Sequence, residues 1–192
     1  MIVGITGGTG CGKTTLLNVI AEKGGLILDC DALYHQLLAR DDRLLSAIEG
    51  RFPGTVENGQ LQRKKLGNIV FSDKNALLDL NRITHSAIRE EVLRQLEARP
   101  GLAAIDAIAL FEGGLAELCD TTVAVTAPAE IRVRRLMQRD NISEDYARSR
   151  IAAQHEEDWF RRRCDCILEN NGTQIQFYEK CVAFLEKLGI MD

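Results

Sequence analysis

The amino-acid sequence predicts an α/β fold, a parallel sheet of about five strands with helices on both faces and two helix-rich excursions from that core. Three observations predict it. Apolar, β-branched runs alternate with segments of helical period along the chain. The first run passes directly into GGTGCGKTT, residues 7–15, where Gly7, Gly12, Lys13 and Thr14 fit the phosphate-loop pattern G-x-x-x-x-G-K-[ST]. The run LAAIDAIAL at 102–110 is apolar on both faces, which suits the middle of a parallel sheet.

The phosphate loop organises the rest. Ile2 to Thr6 reads as a buried strand, and LLNVIAEK after the glycines reads as a helix. Between them the backbone must curl so that successive N–H groups converge, and Gly8, Gly10 and Gly12, with the backbone of Cys11, permit that curl and close approach of phosphate. The helix then starts with free N–H groups and a dipole that favour anions. In this pattern Lys13 reaches the β- and γ-phosphates, Thr14 offers its hydroxyl to a magnesium ion, and Thr15 is a neighbouring hydroxyl in the first turn. The expected ligands are ATP and Mg2+. The thiol of Cys11 has a bland reading, a small residue whose backbone does the binding, and a sharper one as a redox-sensitive group.

Composition narrows the classes. A chain of 192 residues, 45% hydrophobic and 27% charged, fits one globular domain with a real core. A net charge of −4 argues against a general binder of nucleic acid or membrane surface. No apolar run approaches the roughly 20 residues of a membrane span, and MIVGITGG reads as a strand, not a signal peptide. The cysteines at 11, 30, 119, 164, 166 and 181 contain no C-x-x-C, and Cys164 and Cys166 lack a partner pair at metal-site spacing. Reduced thiols and a cytoplasmic location follow as expectations.

Taken in order, Gly24-Gly25 stops the first helix, and Leu26 to Leu28 form a short strand ending in Asp29-Cys30-Asp31. Carboxylates there stand where open α/β sheets bind ligands. Asp31 has two compatible readings, a group facing the acceptor hydroxyl or the N-cap of the next helix. Residues 31–50 read as two helices divided at Asp41-Asp42, and 52–54 and 57–59 as turns. Leu61 to Phe71 is helical and carries Arg63, Lys64 and Lys65, either a solvated face or a phosphate grip. Lys74 to Arg99 is a long helix with Leu77, Leu80, Ile83 or Thr84, Ile88, Val92 and Leu96 at helical spacing, ended by Pro100-Gly101. His85 within it is either structural or a substrate contact.

Asp106, embedded in the 102–110 strand, resembles the carboxylate that positions magnesium in phosphate-loop enzymes. Phe111-Glu112-Gly113-Gly114 follows as a loop, and TTVAVT at 121–126 is the next strand. Residues 130–154 read as two helices around a turn at Asp140-Asn141, with Ser143 capping the second. Arg132, Arg134, Arg135 and Arg139 make this hairpin either a solvated surface or a flap that closes over ATP. Cys166 to Leu168 is the last strand, 170–172 a turn, and 173–188 an amphipathic helix with Ile175, Tyr178, Val182 and Leu185 on its stripe.

The residues alone therefore give a small P-loop kinase acting on a small molecule. Its core is expected at about 1–31, 100–129 and 164–192, an acceptor-binding helical insertion at about 32–99 and a lid at about 130–163. A regulatory GTPase would need N-K-x-D, and an ABC-type ATPase a serine-glycine-glycine signature; neither occurs. A nonenzymatic nucleotide-binding module and a nucleoside-monophosphate or sugar kinase are the remaining rivals.

The motifs in combination resemble the dephospho-CoA kinase family over nearly the full length. The likeness runs through Ile5 to Thr15, D-x-D at Asp29 to Asp31, Gly59-Leu61-Arg63 with Val70 and Phe71, Leu80 to His85, D-x-x-x-L-F-E at Asp106 to Glu112, the lid at Arg135, Gln138, Arg139, Arg150, Ile151 and Gln154, and Asn170 to Gly172. The resemblance implies phosphorylation of the ribose 3′-hydroxyl of dephospho-CoA by ATP, the last step of coenzyme A biosynthesis. It implies Asp31 as the base, Arg139 as the lid arginine together with Arg135, and His85, Leu110, Phe111 and Glu112 on the acceptor side. His35 and Arg63 join them as acceptor-side positions, and the chain is expected to be a monomer or weak homo-oligomer. Three residues depart from the family pattern: His35 for an arginine, Ser86 for a proline and Ile108 for a proline.

Overall fold

Strand β1 (Ile2–Thr6) passes through the phosphate loop into helix α1 (Lys13–Glu22), and β2 (Leu26–Asp29) returns to the sheet. The computed structural model describes residues 1–190. Helices α2 (Cys30–Arg40) and α3 (Asp42–Arg51), a hairpin of β3 (Val56–Glu57) and β4 (Gln60–Leu61), α4 (Arg63–Val70) and the long α5 (Lys74–Ala98) follow. The chain re-enters the sheet as β5 (Ala103–Asp106) and β6 (Thr121–Thr126). It leaves through α6 (Ala129–Asp140), α7 (Glu144–Ala152) and α8 (Glu157–Arg161), and closes with β7 (Cys166–Glu169) and α9 (Gln174–Lys187).

The sheet has five parallel strands in the order β2-β5-β1-β6-β7. One face is covered by α1 and α9, where Val3, Ile5, Leu16, Ile20, Val125, Phe177 and Leu185 form a dry core. The other packs Leu28, Leu33, Val92 and Ile105, drawn from α2, α5 and the strands, together with Leu110 from the turn after β5. Full burial of each such side chain contributes about 1.5–3 kcal/mol, so these two layers carry the sheet. The excursions hold apolar clusters of their own. Leu37, Leu45, Ile48, Phe52 and Leu66 pack between α2 and α5, and Val133, Leu136 and Ala147 join α6 to α7.

Several helix starts rest on their caps. Asp41 accepts from the Arg43 and Leu44 amides, Ser143 from Tyr146, and Thr173 with Gln176 completes a reciprocal capping box.

The structure corrects five local expectations. The strand of 102–110 stops at Asp106, opposite Asp29, the last residue of β2, and opposite Ile5 of β1, which runs only one residue further to Thr6. Beyond it Ala107 donates one more bond, to the Ile5 carbonyl, and the chain turns away. Asp29, not Asp31, caps α2, accepting from the Ala32 amide at 3.0 Å. Gln60 and Leu61 belong to a hairpin strand, so that helix begins at Arg63. On α9 the buried stripe is Phe177, Cys181, Phe184 and Leu185; Ile175 is 72% exposed, and Tyr178 reaches Glu22 at 2.8 Å. Leu77 of α5 is 37% exposed, not part of the buried stripe. Helix α8 carries no periodic signal in five residues and was not anticipated.

Candidate active site

The phosphate loop is held in a conformation that few residues tolerate. Gly7 has φ 131°, and a Cβ there would stand 2.2 Å from the Val125 carbonyl oxygen on β6. Gly12, at φ 96°, is the N-cap of α1, and a Cβ on it would meet the Asn170 side chain at 2.3 Å. The loop therefore fits against β6 and the end of β7 with no room for a side chain at Gly7 or Gly12. Lys13 folds back over it, its Nζ donating to the Gly7 carbonyl at 3.0 Å. Cys11 points inward, and burial pushes its thiol pKa up, so its backbone alone lies at the loop surface.

A cleft of about 610 Å3 opens beside the loop, lined by Gly8, Gly10, Gly12, Lys13, Thr14, Asp31, Asp106, Arg135 and Arg139. Thr15 faces elsewhere, into a depression between α1 and α9 with Asn18 and Gln174.

Asp106 closes the inner wall. Its register partners are Ile5 on β1 and Asp29 on β2. Its Oδ1 is buried and finds no hydrogen-bond partner among the described residues. Burial pushes its pKa up to about 6; the Lys13 ammonium opposes the shift, and Asp29 and Asp31 reinforce it. A buried carboxylate oxygen without a partner, in a cleft shared with a threonine hydroxyl, is a donor set that suits a hard divalent cation.

Asp31 stands in the first turn of α2, exposed, and lines both this cleft and a smaller pocket of about 180 Å3. That pocket is walled by Cys30, Tyr34, Thr84, His85, Ile88 and Ile108. Asp31 and His85 thus face one cavity that opens onto the phosphate cleft. The Cys30 thiol behind it is pushed up to about 12 by burial and by Asp106, so it stays a neutral packing group.

The arginines of α6 sort by helical phase. Arg132 donates to the Thr9 carbonyl at 2.9 Å and to Gln154 Oε1 at 2.8 Å, and the same Gln154 oxygen accepts from the Thr9 amide. Arg135 donates to the Gly10 and Cys11 carbonyls and to Asn170 Oδ1. Arg139 lines the cleft with its guanidinium held bidentately by Asp140, which Arg150 also contacts. These two guanidinium groups hold the Asp140 carboxyl down at about 2. Arg134, off this face, turns to the exposed surface. Arg132, Gln154 and Asn170 were not expected to brace the loop; the spacing of 132, 135 and 139 on one helical face is the signal that could have marked the first.

Of the residues that the resemblance implies for acceptor binding, Leu110 lies beneath the surface. Its side chain is fully buried in the core with Leu28 and Ile105, so it supports the site from beneath and lines none of its cavities. Phe111 meets Trp159 edge to face, and Glu112 receives a hydrogen bond from His155 at 2.9 Å. His155 and Trp159 were not foreseen, having no motif around them. His35 and Arg63 are brought together at 3.3 Å on the exposed side of α2, outside both cavities.

Comparison with known proteins agrees along the chain. The family model described as CoaE, dephospho-CoA kinase, matches residues 1–176. The dephospho-CoA kinase of Syntrophotalea carbinolica is 35% identical over 194 residues, covering 98% of this chain and 92% of the relative. Among solved structures, TT1252 from Thermus thermophilus superposes with a TM-score of 0.82 at 33% identity, covering 98% of this chain and 97% of the other. The dephospho-CoA kinase of Campylobacter jejuni follows at a TM-score of 0.70 and 26% identity, over 99% and 98% of the two chains.

Proposed function

The chain belongs to the dephospho-CoA kinase family, and from that premise we propose that it transfers the γ-phosphoryl group of ATP to the ribose 3′-hydroxyl of dephospho-CoA, giving coenzyme A and ADP. The single observation that carries the reading is Asp31, which lines the phosphate cleft and the His85 pocket at once. An acceptor hydroxyl at that junction lies between a carboxylate and the site of the transferred phosphate.

In this reading the loop amides and Lys13 hold the β- and γ-phosphates, with Gly8 to Thr15 forming the nucleotide-binding segment. Thr14 and Asp106 would hold Mg2+, which when bound neutralises phosphate charge; the unpartnered Asp106 oxygen supports that assignment. Asp31 orients the acceptor hydroxyl and takes its proton as transfer proceeds. A carboxylate suffices because a loose transition state asks little of the nucleophile. Arg139 turns from Asp140 toward the transferring group, where a guanidinium stabilises spreading negative charge. Arg135 stays on the loop. Residues 32–99 serve as the acceptor-binding insertion, with His85 and Glu112 facing dephospho-CoA, and 130–163 as the lid that excludes water. None of the helices among the described residues is long and apolar enough to cross a membrane.

A dephospho-CoA analogue lacking the ribose 3′-hydroxyl tests the position of transfer. It should support no ADP formation above the rate with ATP alone while inhibiting the authentic acceptor. Phosphorylated analogue in the product mixture would overturn the 3′ assignment.

A further inference from the structure

A second acceptor-side device stands across the cleft from the insertion. Trp159, the single tryptophan of the chain, is held by two ring contacts. His155 stacks on it, with ring centroids 3.8 Å apart and planes 2° from parallel. The Arg163 guanidinium lies over its ring at 4.4 Å. Phe111 and Phe160 meet its edges at 5.6 and 5.1 Å. Such stacking and cation–π contacts fix a planar ring in position and orientation. The imidazole it carries is thereby aimed, and Nε2 of His155 reaches Glu112 Oε1 at 2.9 Å. A carboxylate can only accept, so Nε2 carries the hydrogen.

The bonded pair does not face empty surface. Glu112 and His155 wall a cavity of about 290 Å3 that is closed by Gly8 of the phosphate loop and by Ile108 and Ala109. Ile108 and Ala109 also wall the Asp31–His85 pocket, and Gly8 the phosphate cleft, so the three cavities meet around Ile108. An acceptor with its hydroxyl at Asp31 would extend past Ile108 toward Glu112.

We propose that His155 and Trp159 are positioning residues for the acceptor: the Arg163–Trp159–His155 stack fixes the imidazole that holds the Glu112 carboxylate at the wall of the acceptor channel. The proposal rests on the dephospho-CoA reading above. It also ties the segment after α7 to the loop after β5, so that acceptor binding is read at Trp159.

Steady-state kinetics of wild type, His155→Ala, His155→Gln and Trp159→Ala test it, with CoA formation as the signal. Loss of the positioned hydrogen bond should raise KM for dephospho-CoA at least ~5-fold in His155→Ala and Trp159→Ala, with KM for ATP changed less than ~2-fold. His155→Gln, whose amide can still donate to Glu112, should recover most of the loss. In the wild-type protein, dephospho-CoA alone should change the emission of Trp159, and ATP alone should not. A packing role would instead lower stability in all three variants and leave the KM ratio unmoved. Wild type that makes CoA, with unchanged acceptor KM in His155→Ala and a silent tryptophan, overturns the proposal and leaves the kinase reading standing. Wild type that makes no CoA overturns the kinase reading itself.

Discussion

Asp106 on β5 stands directly opposite Asp29 on β2, and the two have divided labour. Asp29 spends its carboxylate on the Ala32 amide as the cap of α2, while Asp106 keeps a buried oxygen unpaired in the cleft among the described residues. A buried carboxylate oxygen without a partner costs stability, and in the proposed function that cost is kept because Asp106 would hold Mg2+.

Asp106→Asn should therefore stabilise the protein without ligands while damaging catalysis. The folded pKa of about 6 lies above the ordinary 3.8, so the folded state binds the proton more tightly than the unfolded one. Stability from this group is fullest below the unfolded value and is lost as pH rises through about 4 to 6. At pH 7 the amide should add ~1–2 kcal/mol, and the difference should shrink below pH 5, read by thermal melting across pH. In magnesium-dependent turnover the same variant should lose at least ~10²-fold in kcat.

Asp31→Asn isolates the proposed proton acceptor. It should lower kcat by at least ~10²-fold and leave ATP affinity nearly unchanged, because among the described residues no hydrogen bond joins Asp31 to the loop or to Lys13, which donates to Gly7 instead. An unchanged kcat would remove Asp31 from the chemistry.

Two arginines of α6, Arg135 and Arg139, should separate cleanly. Arg135→Ala removes a donor from two loop carbonyls and from buried Asn170, so it should cost ~1–2 kcal/mol of stability and raise KM for ATP. Among the described residues Arg139 pairs only with its neighbour Asp140, and its side chain is 61% exposed. Arg139→Ala should change stability by less than ~0.5 kcal/mol and lower kcat by ~10- to 10³-fold. Denaturant titration and initial rates on both variants decide the matter.

Gly7→Ala should show how tightly the loop is seated. The new methyl group would lie 2.2 Å from a backbone oxygen of β6 at a φ that L-residues avoid. A loss of more than ~2 kcal/mol is expected, seen as a melting temperature lowered by at least ~5 °C.

Much of this was legible in the sequence because it is local. A phosphate loop is nine consecutive residues, and the long helix to Ala98 announces itself by period and by Pro100-Gly101. What stayed hidden depends on distant segments. Residues 107–110 look like strand, but a strand needs neighbours, and there β2 has ended and β1 has one residue left. The sequence offers Asp31 as the cap, but Asp29 is the residue that caps, because the helix begins at Cys30. Arg135 meets Asn170, and Glu112 meets His155, across 35 and 43 residues of sequence, distances over which no periodicity speaks.

Product analysis tests the central claim most directly. The protein is incubated with ATP, Mg2+ and dephospho-CoA, and nucleotides and acceptor are separated by chromatography with mass detection. The account predicts one coenzyme A for each ADP, with both absent when dephospho-CoA is withheld. ADP formed without coenzyme A would contradict it, and would leave a phosphate-loop enzyme whose acceptor is some other molecule or water.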